Sequence, residues 1–279
     1  MIDLHAHSTC SDGSLTPTEL IRLAKEIGLE AIALTDHDTS DGVPEFIRAG
    51  MDAGIETVPG METALNVDGR EVHLVSLYAD IEHPALKKLI ADMTRCRNER
   101  NEEMLDLLTA AKYPIRREDI QSFGSRSVSR AHIAGLLVDR GAAANFKDAF
   151  VHIIGPGCPC YVEMRTPEPE EYFAAIHESG GAAFVAHVHQ IDRKDEDHSF
   201  AIAERLLDLG ADGLETLYCE YDDHLRARTE EIAARRGVLR SGGSDFHGKY
   251  KKGLNLGTGY GDLNVPYAFL RAIKEKLGK

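Results

Sequence analysis

Short apolar runs alternate with amphipathic stretches along most of this chain. Ile2–His5, Ala31–Thr35, Thr57–Met61 and Val72–Leu77 read as strands in the first part. Ala182–Ala186, Gly213–Leu217 and Val238–Ser241 read the same way in the second. Between the first two, Thr16-Pro17-Thr18-Glu19 has the form of a capping box with proline at the first helical position. Leu20, Ile21, Leu23, Ala24 and Ile27 follow at helical spacing. Asp41 and Pro44 open a second helical stretch that runs to Gly54, and a last one spans about Pro266–Leu277. Such a βαβα pattern predicts an α/β fold with a parallel sheet or barrel, its active groups on the loops after the strands.

The middle of the chain has a different rhythm. From Pro84 to Lys112 runs a long helical pattern whose polar face carries Arg95, Arg97, Arg100, Glu99, Glu102 and Glu103. Shorter helical pieces follow at Ala131–Arg140 and Phe146–His152, before the Gly155-Pro156-Gly157 breaker. Residues 98–162 are therefore expected to form a helical insertion that contributes to the substrate site, with 1–97 and 163–279 forming the main domain. About seven βα units result, one fewer than the usual complete barrel of about eight.

Charge then narrows the partners. With 32 basic against 46 acidic side chains among 279 residues, the formal charge is −14. A general binder of duplex DNA or of anionic membranes wants a basic surface, so both are disfavoured. A small anionic substrate is still admitted, because a local cation reverses the field in a cleft. No stretch approaches the ~20 apolar residues of a membrane span. The start, Met1-Ile2-Asp3-Leu4-His5, lacks the basic and apolar regions of a signal peptide. Cys10, Cys96, Cys158, Cys160 and Cys219 do not make a disulfide framework in a chain of this length, which favours the cytoplasm.

The candidate chemistry gathers at strand ends. His5 and His7 stand two apart, so a strand points both to one side. Asp12 follows in a Ser-Asp-Gly loop, His37 ends the second strand, Glu62 the third, and His73 lies in the fourth. His187 follows the fifth, and Asp245 and His247 follow the last. A single histidine at a strand end is most often a satisfied polar group. These six His, two Asp and one Glu would share one edge of the sheet, and grouping them without a compensating ion would cost several kcal/mol. Divalent metal resolves that cost. An all-N/O donor set suits Mn, Fe, Zn or Mg and argues against a structural zinc finger.

These residues resemble a known family. The run Asp3-Leu4-His5-Ala6-His7, with Asp12, Thr35-Asp36-His37-Asp38, Gly60-Met61-Glu62, His73, Ala186-His187 and Gly243-Ser244-Asp245-Phe246-His247, is similar to the PHP (polymerase and histidinol phosphatase) phosphoesterases, relatives of the amidohydrolases. The resemblance implies a distorted (β/α)7 barrel with a helical insertion subdomain, holding two or three divalent metal ions. It assigns His5, His7, Glu62 and Asp245 to one metal, with Glu62 bridging to a second held by His73 and His187. Asp12, His37 and His247 would hold the third. A bridging carboxylate suits cations ~3.5–4 Å apart.

The insertion narrows the branch. Ser129-Arg130-Ala131-His132-Ile133-Ala134 resembles a segment of small stand-alone members that act on nucleotide phosphates and short RNA. Arg130 would grip phosphate, with Ser129, His132 and Lys249 as further substrate contacts; a solvated helix-capping arginine and solvated lysines at Lys249, Lys251 and Lys252 are the plainer alternatives. Relatives usually continue Ala-His with Pro-Gly or Ala-Gly, whereas here stands Ala186-His187-Val188-His189-Gln190. His189 would share a side with His187 if the strand persisted.

The mechanism implied is hydrolysis of small nucleotide phosphates, such as nucleoside 3′,5′-bisphosphates or cyclic phosphates. A hydroxide bridging the metals beside Glu62 would attack phosphorus in line, and His132 or His189 would protonate the leaving group. A 5′→3′ exoribonuclease on short RNA is the alternative within the family, and a non-catalytic metal-dependent binding module the alternative outside it. Cys158-Pro159-Cys160 reads as structural, and no P-loop, dinucleotide fingerprint or G-x-S-x-G elbow is found.

Overall fold

The computed structural model describes residues 1–121 and 127–279. The chain divides into two compact units, Met1–Ile90 with Pro167–Lys279, and Ala91–Thr166.

In the first unit, β1 (Ile2–Asp3), α1 (Pro17–Glu26), β2 (Ala31–Leu34) and α2 (Val43–Ala53) alternate as their periodicities predict. The Thr16 cap forms in full: its hydroxyl accepts from the Glu19 amide at 3.2 Å, and Glu19 accepts from the Thr16 amide at 2.8 Å. Leu20, Ile21 and Ala24 of α1 and Phe46 of α2 pack on Ile32 and Leu34 of β2. Then the pattern departs from expectation. β3 runs Glu56–Val67, much longer than its apolar run, and is followed directly by β4 (Arg70–Leu77). The two pair antiparallel across Asp68-Gly69, both with positive φ (51° and 73°). Asp-Gly is the favoured pair for a tight turn that needs two left-handed residues. No helix intervenes, so the sheet is mixed rather than parallel throughout.

After α3 (Pro84–Ala110), α4 (Arg117–Gln121), α5 (Arg130–Asp139) and α6 (Phe146–Ala149), the chain re-enters the first unit through α7 (Pro169–Glu178) and β5 (Ala182–Val185). α8 (Glu196–Leu209), β6 (Gly213–Tyr218), α9 (Asp223–Arg236), β7 (Leu239–Gly243) and α10 (Tyr267–Leu277) complete it. The seven strands lie in sequence order, with β4 antiparallel to both neighbours and every other pair parallel. Beside β7, the Leu4 amide donates to the Gly242 carbonyl (3.0 Å) and the Asp245 amide to the His5 carbonyl (2.8 Å). These bonds nearly close the sheet into a barrel. Gly243 permits the approach, because a β-carbon there would lie 2.4 Å from the His5 nitrogen.

The second unit has its own small core, in which Met104, Leu105 and Leu108 of α3 meet Ile133, Ala134 and Leu137 of α5 and Ile153 and Ile154 of the π-helical segment Phe150–Ile154. Among the described residues, no helix is long and apolar enough to cross a membrane.

Candidate metal centre

Strand ends and one hairpin deliver the candidate ligands to a single buried place in the first unit. The extended backbone of β1 continues past Asp3, pairing Ala6 with Phe246. It therefore points His5 and His7 the same way, with ring centroids 5.2 Å apart. Glu62 is not at a strand end but in the middle of β3, and His73 lies near the start of β4, paired across the hairpin with Ala64. Strand reversal explains why His73 still belongs: the beginning of an antiparallel strand lies where its parallel neighbours finish. Asp38, His187 and Asp245, on three loops of the centre, hold positive φ values of 50°, 26° and 54°. Strain of this kind persists only where surrounding bonds fix it.

Three groups of donors converge, each with its atoms within 4.8 Å of one another: His5, His7, Glu62 and Asp245; His7, Asp12, His37 and His247; and His37, Glu62 and His73. Glu62 is the hub. Its Oε2 lies 3.1 Å from both His5 Nε2 and His7 Nε2, and its Oε1 lies 2.8 Å from His73 Nδ1 and 2.9 Å from His187 Nε2. His37 presents Nδ1 to Glu62 (3.3 Å) and Nε2 to Asp12 (3.7 Å). His247 Nε2 lies 3.2 Å from Asp12.

Supporting residues fix these side chains. Glu215, fully buried on β6, meets His5 Nδ1 at 2.9 Å and accepts from the His187 amide at 2.8 Å. The contact sets the His5 tautomer and leaves Nε2 turned to the centre. The Asp245 carbonyl does the same for His247 Nδ1 at 2.8 Å. Asp3 accepts from the amides of His5, Ser244 and Gly257, tying the end of β1 to the end of β7. Asp36 accepts from Ser8 and Ser11 and closes the loop that brings in Asp12.

The electrostatics ask for positive charge. Asp12, Glu62 and Asp245 would be pushed up by burial, but the surrounding histidines, with Lys251 foremost at Asp245, hold all three well below the usual carboxylate range. Burial opposes charge on His7 and His73 too, yet Asp245 and Glu62 raise His7 to about 9, and Glu62 and Glu71 raise His73 to about 10. His37 goes the other way, to about 3, because burial outweighs Glu62 and Asp12.

Hydrogen bonding within the protein leaves this cluster incomplete. Close as they stand, the buried His5 Nε2, both ring nitrogens of His7, and Glu62 Oε2 find no hydrogen-bond partner among the described residues, an arrangement that costs several kcal/mol without a ligand. Converging imidazole and carboxylate donors, with no thiolate among them, fit divalent cations.

Ser129, Arg130 and His132 lie in the second unit, where His132 Nδ1 accepts from the Ser129 amide at 3.0 Å as part of the α5 cap. The Arg130 guanidinium lies 5.6 Å from the ring centroids of both Phe150 and Tyr161. The strand ends at Val185, before His187, and a single helical turn, Val188–Gln190, follows, so alternation does not place His189 beside His187. His189 instead meets Glu220 at 3.2 Å. Of the lysines, Lys251 pairs with Asp245, while Lys249 sits 5.3 Å from the Tyr250 ring centroid. Glu215 and Tyr218 carry no motif that assigns them to the site from sequence alone. The signal at Glu215 is an acid inside an apolar strand, whereas Asp3 stands in the run that carries the family resemblance and Lys251 in the lysine cluster after His247.

The PHP domain profile matches residues 3–234. The chain belongs to the PHP-domain family. Among curated relatives, a 5′-3′ exoribonuclease of Haemophilus influenzae is 33% identical over 260 residues, 91% of this chain and 93% of that one. A 3′,5′-nucleoside bisphosphate phosphatase of Chromobacterium violaceum is 33% identical over 262 residues, covering 92% and 90%. A Bifidobacterium adolescentis structure described as a metal-dependent phosphoesterase superposes with a TM-score of 0.87 at 28% identity, over 99% of this chain and 96% of that one. This PHP-domain protein is a metal-dependent phosphoesterase.

Proposed function

We propose that the chain hydrolyses phosphate esters of small nucleotides, with a nucleoside 3′,5′-bisphosphate as the first choice and a cyclic phosphate opened and then dephosphorylated as the second. The observation that carries this is the convergence of the buried His5, His7, Asp12, His37, Glu62, Asp245 and His247 and the half-buried His73 in donor groups, with His187 on the same Glu62 carboxylate. His5, His7, Glu62 and Asp245 would hold one cation. Asp12, His37 and His247, with His7 beside them, would hold another. His73 and His187 would share Glu62 with a further one.

Divalent ions supply, when bound, a lowered pKa for water and neutralisation of phosphoryl oxygens. The protein's residues do the rest. Glu62, reached by five histidines, holds the donor groups in register. Glu215 and the Asp245 carbonyl keep His5 and His247 in the tautomers that turn Nε2 inward. The acidic balance of the chain favours a small substrate, since a long polyanion needs a basic track. Free cysteines among the described residues accord with a cytoplasmic setting.

A second reading, 5′→3′ trimming of short RNA, is favoured by the likeness to the Haemophilus influenzae relative. A screen of metal-reconstituted protein separates the two. Nucleoside bisphosphates, cyclic phosphates and a 5′-labelled oligoribonucleotide are compared, reading released phosphate and product length together. The first reading expects phosphate from bisphosphates at a kcat/KM at least about tenfold above that for the oligonucleotide; ordered shortening of RNA, with bisphosphates inert, would reject it.

A further inference from the structure

The two oxygens of Asp245 have different environments. Oδ1 faces the histidines, 3.3 Å from His7 Nε2, 3.7 Å from His5 Nε2 and 3.3 Å from His247 Nδ1. Oδ2 faces away from them and is taken by two donors, the Tyr218 hydroxyl at 2.8 Å and the Lys251 ammonium. Tyr218 is itself held. Buried at the end of β6, its hydroxyl accepts from Gln190 Nε2 at 3.0 Å, so both its donor and acceptor roles are used. Gln190 also reaches Glu220 Oε2 (3.3 Å), and His189 Nε2 meets the same oxygen at 3.2 Å. The His189 ring lies tilted, 5.7 Å from the Tyr218 ring, and edge-on, 5.4 Å from that of Tyr221, whose hydroxyl accepts from the Val188 amide at 2.8 Å. The whole set lies within the first unit.

We propose that Tyr218 and Lys251 are positioning residues that occupy Asp245 Oδ2, so that Asp245 offers a cation one oxygen only, and that His189, Gln190 and Glu220 hold Tyr218 in that task. The inference rests on the reading of Asp245 as a metal ligand. It gives the His187-Val188-His189-Gln190 segment a role in orienting a ligand, different from protonation of the leaving group. A carboxylate confined to one oxygen disfavours large cations, because Ca²⁺ takes six to eight oxygens and readily binds carboxylates through both, whereas smaller ions do with fewer.

The test compares Ca²⁺ with Mn²⁺ on the full chain freed of metal by chelation. Mn²⁺ binding is followed by the electron paramagnetic resonance signal of the free ion, and Ca²⁺ by competition. The ratio of affinities is the quantity read, since loss of the Lys251 charge alone raises both affinities together. In Tyr218→Phe/Lys251→Met the Ca²⁺ to Mn²⁺ affinity ratio is expected to rise about tenfold or more. Tyr218→Phe alone, which removes one oxygen atom and is expected to keep the fold, should give a smaller rise in the same direction. An unchanged ratio in either folded variant overturns the proposal while the metal site itself stands. Failure of the wild-type chain to bind Mn²⁺ removes the reading beneath both. His189→Asn decides the role of the segment: slowing that falls only on substrates with poor leaving groups marks a proton donor and overturns the positioning role, whereas equal slowing of nitrophenyl esters supports it.

Discussion

At the scale of single residues, the centre depends on acids that make no sense as surface groups. Glu215 serves two donors at once, the His5 ring and the His187 amide, with one carboxylate oxygen for each. Glutamine has a single acceptor oxygen, so Glu215→Gln leaves one buried N–H unpaired, at about 1–3 kcal/mol, and loosens a histidine whose tautomer it fixed. We expect this variant to fold and to bind Mn²⁺ about ten- to a hundredfold more weakly, in line with other losses of support behind a ligand. Isothermal titration of metal-free protein measures this directly, and unchanged affinity would remove Glu215 from the account. Glu62→Gln acts at the hub, which has histidines on both oxygens. It is expected to abolish turnover by about a thousandfold or more and to lower the metal content found by elemental analysis.

At the scale of elements, two features organise the site: the hairpin of β3 and β4, and the seam between β1 and β7. The seam is tight enough that a methyl group at Gly243 would meet His5 Cβ at 2.5 Å and Asp3 Oδ1 at 2.7 Å. Gly243→Ala must push β7 from β1 and carry His5 with it. It should cost about 1–3 kcal/mol, as overpacking in a core does, read as a lower urea midpoint together with lost metal. A full stability with a full metal complement would contradict the seam as described. The hairpin has the opposite character. Its turn is legible in Asp68-Gly69, and Arg70 and Arg205 anchor the tip by pairing with Asp192 and Asp68. Strand periodicity alone hid it, because an antiparallel pair and a parallel pair have the same period of two. What distinguishes them is the absence of any helical stretch between Val67 and Arg70.

At the scale of the whole molecule, the buried charges couple metal, protons and stability. His7 and His73, at about 9 and about 10 in the folded chain, stabilise metal-free protein below an unfolded value of about 6.5, and that contribution is lost as pH rises toward 10. Asp12, Glu62 and Asp245 lie below their ordinary values, so their contribution is present above about pH 4 and disappears in acid. His37, at about 3, adds to the loss as pH falls below about 6.5, since the unfolded chain takes up a proton there and the folded one does not. Metal-free protein is therefore expected to melt highest near pH 6–7 and to lose melting temperature on both sides. Metal-loaded protein should hold its melting temperature to higher pH, because cations replace the protons on His7 and His73, and binding at pH 7 should release protons measurable in a weakly buffered titration. Identical alkaline profiles with and without metal would refute this linkage.

The sequence by itself determined the repeated strand–helix rhythm, the capped first helix, the family, and which side chains could hold metal, because period, caps and residue chemistry are local properties. Closure of the sheet, reversal of β4, the grouping of histidines around Glu62 and the single helical turn that takes His189 off the strand came from tertiary structure. So did the division of the chain at Ile90–Ala91, which falls inside α3 where composition does not change. Each of these depends on which distant segments lie side by side. That is settled by burying apolar surface and pairing buried polar groups across the whole fold, through contacts such as those of Glu215 with His5 and of Tyr218 with Asp245 that join residues far apart along the chain.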